Sequence, residues 1–136
     1  SESFNWPHVF RSLHQLCSWA GFQWQRREFY IVVFRSKLRV DANRARLHEL
    51  DQKSHEEACA SGGLLKYWFG SCDPARRNLA TCVWLSRRDA AIGGRGPWHR
   101  NARGAARDMK ESISFHTHKL IVDAEVECWW LEQYSD

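Results

Sequence analysis

Phe29-Tyr30-Ile31-Val32-Val33-Phe34 is the stretch that decides the fold of this chain. Its six residues are all apolar or aromatic, and three are β-branched, a composition that favours a strand. Phe29, Ile31 and Val33 point to one side; Tyr30, Val32 and Phe34 point to the other. Neither side is polar, so the strand reads as covered on both faces. Residues 35–39 continue it toward water.

Reading forward, residues 42–60 form a helix, with Asp41 as the expected N-cap and Ser61-Gly62-Gly63 as the stop. Leu47, Leu50, Ser54 and Ala58 make its inward stripe, with His48, Gln52, His55 and Cys59 on the flank. Residues 64–69 are a second strand, with Lys66 and Trp68 on one side and Tyr67 and Phe69 on the other. Asp73-Pro74 breaks the chain, and residues 79–85 return as the third strand of a hairpin. A glycine-rich loop spans residues 91–96. Pro97 then opens a helix to about residue 112, with Trp98, Ala102, Ala105, Ala106, Met109 and Ile113 as its apolar stripe. Residues 116–122 are the fourth strand, and residues 126–131 extend it or add a short piece. Ahead of all this, residues 7–20 form a helix capped by Asn5 and stopped by Gly21. That helix is expected to lid one end of the core or extend an interface.

The order strand, helix, strand, strand, helix, strand is the ferredoxin-like α+β arrangement, with an antiparallel sheet. The expected organisation is a helical extension over residues 1–27 and a ferredoxin-like domain over residues 28–136. Two helices cover one face of such a sheet. If the other face is greasy too, a second copy of the chain is the expected cover, giving a homodimeric α+β barrel with an enclosed pocket. An RNA-binding module would instead expose aromatics on its central strands. The matching stretch, residues 77–84, lacks the glycine and paired aromatics, so nucleic acid is not the expected partner.

Composition narrows the class. With 136 residues and 43% hydrophobic content, the chain is globular and long enough for a real core. Eight Trp supply large apolar surfaces. The net charge of +4 is mild, and acidic residues sit among the arginines. Five Cys, irregularly spaced and without C-x-x-C, read as reduced thiols in an intracellular, cytoplasmic setting rather than as a disulfide framework. No membrane-spanning stretch or signal-peptide pattern is visible. The chain opens Ser1-Glu2-Ser3 without Met, which leaves room for a removed targeting segment.

Several residues carry candidate chemistry. His55, on the helix flank, suits a general acid or base near neutral pH; its plain alternative is a surface histidine. His99, one turn into the second helix, has the same two readings. Lys66, if buried, would have a depressed pKa and could polarise a carbonyl; otherwise it snorkels to water. Asn78 could join Lys66 in stabilising an oxyanion. Tyr67, Trp68, Trp84 and Trp98 would shape an apolar pocket. His116 and His118 alternate on one strand face, but without supporting ligands they are not read as a metal site. Gly93-Gly94-Arg95-Gly96 ahead of a helix could cradle a phosphate, although a flexible loop fits better.

Two resemblances rest on these residues. The topology resembles the dimeric α+β barrel superfamily, which includes antibiotic-biosynthesis monooxygenases and related polyketide-tailoring and haem-handling proteins. Residues 30–36, 61–70 and 78–84 through 96–99 together resemble a family of small fungal proteins, over about residues 30–120. These resemblances imply the fold, a homodimer and a fungal origin. They point toward a small enzyme of secondary metabolism, a monooxygenase, cyclase or isomerase acting on an apolar aromatic or polyketide-like molecule. No tightly bound organic cofactor is expected; haem, held by one of the histidines, is the alternative, in a ligand-binding protein without turnover.

Overall fold

The computed structural model describes residues 4–135. Its elements run α1 (Trp6–Ala20), β1 (Arg27–Leu38), α2 (Arg44–Ala60), β2 (Leu64–Phe69), β3 (Arg77–Trp84), α3 (Arg87–Gly93), α4 (Pro97–Met109), β4 (Lys110–Val122) and β5 (Trp129–Gln133). The strands form one sheet in the order β2-β3-β1-β4-β5, with every neighbouring pair antiparallel. The first four strands give the ferredoxin-like order, as the sequence pattern predicts. The fifth adds a short edge beside β4.

Local chemistry sets the boundaries. Asn5 caps α1 by accepting the His8 N–H at 3.3 Å, and Gly21 closes it in the left-handed conformation at φ +62°. Three expectations are corrected. The cap of α2 is Asn43, which accepts the Arg46 N–H at 3.0 Å. Asp41 instead binds the Arg39 guanidinium at 3.2 Å. The first half of the segment expected to be a glycine-rich loop, residues 91–93, is the end of the short helix α3, capped by the Ser86 hydroxyl. The helix expected to reach residue 112 ends at Met109, and residues 110–115 start β4 early. There β1 offers a long row of partners, pairing from Arg27 opposite Val122 to Leu38 opposite Lys110. Edge pairing over that length outweighs the helical spacing of Ile113.

The two faces of β1 enter two cores. Tyr30, Val32 and Phe34 join Cys82, Trp84, Ala58, Leu64 and Tyr67 beneath the helices α2 and α3. Ile31 joins Val83, Leu120, Val122 and Val126 on the opposite face, with Phe10 of α1. Trp6, Leu13 and Cys17 of α1 pack around this cluster, and Phe10 stacks on Trp129 of β5 at 4.9 Å.

The cover expected from a twin is supplied, at the Ile31 end, by the chain itself. The helix α1 covers the Ile31 end, so the chain's own N-terminal segment buries that apolar surface. The other end is polar. Beyond Val33, β1 presents Arg35 and Lys37 on this face, opposite Leu79 and Arg77 of β3 and Ser114 and Ser112 of β4.

Candidate functional site

A cavity of about 520 Å³ lies between the sheet and the helices α2 and α4. Phe34, Leu47, Leu64, Trp84, Ile113 and Phe115 give it an apolar lining. The alanines of α4, Ala102 and Ala106, keep that helix wall smooth.

Polar groups enter this lining at a few points. Tyr67 rises from β2 and is half-buried. Burial, the nearby Asp51 carboxylate and Cys82 push its hydroxyl far above the usual phenol range, so Tyr67 stays a proton donor. Burial likewise pushes the Cys82 thiol up to about 12, which makes it inert as a nucleophile at neutral pH. Asp51, on the cavity side of α2, is held above the ordinary carboxylate value by burial, with Lys110 and His48 acting against that rise. Lys110, the first residue of β4, is held below the ordinary lysine value by burial, against the pull of Asp51. Two buried polar atoms, Ser54 Oγ and Asn78 Oδ1, have no hydrogen-bond partner although both residues line the cavity. Buried groups of that kind are normally satisfied, so they invite a polar atom from a ligand or water.

His99 is fixed by Glu57. The Glu57 carboxylate bonds His99 Nδ1 at 2.7 Å and accepts the backbone N–H groups of Trp98 and His99, each at 3.1 Å. Burial pushes the Glu57 carboxyl up, but these hydrogen bonds outweigh it and hold the group below its ordinary value. Glu57 thus supplies from α2 the cap that Gly96 cannot give to α4. A Cβ at position 96 would collide with the Glu57 carboxyl group, so a larger residue there would push the carboxylate off the cap. The same contact fills the place where a phosphate cradle was conceivable. With Nδ1 engaged, the neutral imidazole leaves Nε2 as its proton acceptor.

The residues singled out from sequence divide into three groups. His55, His99, Asn78, Tyr67 and Trp84 come together around this cavity. His55 sits at its exposed mouth with its ring 5.2 Å from that of Tyr67. Lys66 and Trp68 lie on the opposite face of the sheet, because they pair with Val83 and Thr81 while Tyr67 pairs with Cys82. Lys66 is exposed and lines neither this cavity nor the one on its own face. Trp98 also lines neither; its part is the backbone bond to Glu57. Sequence reading missed Asp51, Glu57 and Lys110. The signal for Asp51 was a carboxylate four residues before His55, at the edge of an apolar stripe. The signal for Glu57 was a helix opening on Gly-Pro with no capping side chain of its own. Lys110 gave no signal, because it lay inside an expected helix. Among the described residues, no group of three or more His, Cys, Asp or Glu is placed to hold a metal ion.

The model of the PB2B2.08-like family matches residues 1–133. The chain belongs to that family. The UPF0643 protein PB2B2.08 of Schizosaccharomyces pombe is 42% identical over 99 residues, covering 68% of this chain and 45% of the relative. The chain therefore spans about half the length of this fungal family relative. Among solved structures, a Shewanella oneidensis protein superposes with a TM-score of 0.60 at 10% identity, over 70% of this chain and 93% of that one. A proposed antibiotic biosynthesis monooxygenase of Nitrosomonas europaea gives 0.56 at 18% identity, over 65% and 94%. SnoaB, a cofactor-independent oxygenase of Streptomyces nogalater, gives 0.53 at 11% identity, over 67% and 90%. At such identities these likenesses establish the fold that the PB2B2.08-like chain shares with them. No helix among its described residues is long and apolar enough to cross a membrane.

Proposed function

We propose that this chain is a small enzyme that abstracts a proton from a flat, apolar, aromatic or polyketide-like molecule held between the sheet and the α2–α4 pair. The observation that carries this reading is that a Glu57-held His99 and the half-buried Tyr67 hydroxyl line one apolar cavity. His99 Nε2 takes the proton from an acidic C–H or O–H of the substrate. The electron pair left behind spreads onto a substrate oxygen. The Tyr67 O–H and the Lys110 ammonium stabilise that oxyanion, in the role the sequence suggested for Lys66. Asn78 binds a second polar group of the substrate, and Trp84 and Phe34 stack against its ring. His55, at the mouth, relays the proton to water.

Oxygenation, cyclisation and isomerisation share this first step. The likeness to SnoaB supports the first of them, and a role in fungal secondary metabolism accords with it. The residues given roles here all come from one chain, so the reading applies to a monomer and to a homodimer alike.

The test is to purify the protein from its host, identify the small molecules that copurify, and assay their conversion by wild type, His99→Ala and Tyr67→Phe. His99→Ala is expected to lower turnover by about a hundredfold or more, with ligand affinity little changed. A copurifying ligand released unchanged by the wild type would make the chain a carrier instead.

A further inference from the structure

We propose that the uncovered end of the sheet's other face is a second binding site, for a small molecule in which a flat ring carries a compact oxyanion. A cavity of about 720 Å³ lies there, on the face α1 covers only at its far end. Its floor is set by strand register. Arg35 of β1 stands opposite Leu79 of β3 and Ser114 of β4, and Lys37 stands opposite Arg77 and Ser112. Trp68 of β2 forms one wall, with Gly70 and Ser71 beside it. A Cβ at position 70 would come within 2.9 Å of Trp68 Cη2, so the glycine lets the indole lie close along the wall.

The charge in this cavity is unbalanced in one place. Lys37 is neutralised by Glu111 at 3.0 Å, and Arg77 by Asp73 at 2.8 Å. Arg35 forms no ion pair among the described residues; its guanidinium lies 3.4 Å from His116 Nδ1, to which it can donate. A guanidinium with free donors, in a cavity also lined by Ser71, Ser112 and Ser114, matches a carboxylate or phosphate in charge and in hydrogen-bond chemistry. The Trp68 indole offers a stacking surface for the ring that carries the anion. A twin packed face to face on this end would bring Arg35 toward its own copy with no counter-charge between them, and that favours a small anion as the occupant.

The two sources of such an anion are separated by titrating the full chain with adenosine monophosphate and with salicylate, by calorimetry, with inorganic phosphate as competitor. One of the two is expected to bind once per chain. Arg35→Gln is expected to weaken it by about tenfold or more, Trp68→Leu by less, and Arg88→Gln, the same charge change on α3, not at all. Unaltered melting of each variant ties the loss to the site. The proposal is overturned if neither ligand binds at millimolar concentration, or if Arg35→Gln and Arg88→Gln weaken binding equally. It is also overturned if single-stranded RNA outcompetes both ligands with a steep salt dependence, or if the wild type is a dimer that Arg35→Glu dissociates.

Discussion

The two cavities open mainly on opposite faces of one end of one sheet and meet at Ser36, Asn78, Ser112 and Ile113, which line both, yet they have opposite characters. Alternation sorts the rest of their lining: Phe34, Ala80 and Phe115 face the helices, while Arg35, Leu79 and Ser114 face the other way. On the helix side, burial suppresses ionisation, and Tyr67, Cys82 and Asp51 all have raised pKa values. On the other side, charges stay wet and pair loosely at the surface. The lesson is that a strand apolar on both faces at one end can become amphipathic at the other. The chain then needs a lid for only half of its second face, and α1 is that lid.

The strongest way to break this comparison is to remove the lid's anchor. Phe10→Ala, emptying a site that is only 5% exposed, is expected to cost about 3–5 kcal/mol in urea unfolding. Ligand binding on the helix side should survive in the fraction that stays folded. If that affinity fell in step with stability, the two faces would not be independent.

A smaller effect sharpens the helix side. Glu57→Gln keeps the shape of the α4 cap but removes its charge, and is expected to cost about 1 kcal/mol near neutral pH. The pH dependence gives the sign. Glu57 has a folded pKa below its unfolded one, so its contribution is present above about pH 4.3 and is lost as pH falls through the folded value. Glu57→Gln should therefore flatten the acid limb of the stability curve. Asp51 has the opposite sign, since burial raises its folded pKa: its ionisation opposes folding as pH rises from the unfolded value through the folded one. Asp51→Asn should steepen the loss on acidification relative to wild type, measured as the urea midpoint between about pH 4 and 6. The smallest change is expected at the exposed Arg46–Glu49 pair, 2.7 Å apart on α2. Arg46→Gln should alter stability by less than about 0.5 kcal/mol.

Much of this was legible along the chain. The stretch 29–34, the stripe Leu47–Leu50–Ser54–Ala58 and the Asn5 and Gly21 caps of α1 each report their own local environment, and the structure places each as its pattern predicts. Tyr67, Trp84, His55, His99 and Asn78 stand out in the sequence and meet at one cavity. Lys66 was misplaced because a strand position says only which residues share a side, and the covered side was not known. Glu57 was missed and Lys110 was invisible for a related reason: one acts across 41 residues on the start of another helix, and the other sits where strand pairing overrode helical spacing.

The sequence by itself determined the periods, and so the βαββαβ order and the presence of a helix ahead of it. Periodicity is a local property, written by which side chains recur every two residues or every three to four. Only the tertiary structure decided where α1 would lie, which face would enclose the cavity and which charges would be left without a partner. Those outcomes depend on distant segments competing for the same apolar surface and the same counter-charges, and no window of the chain contains both competitors.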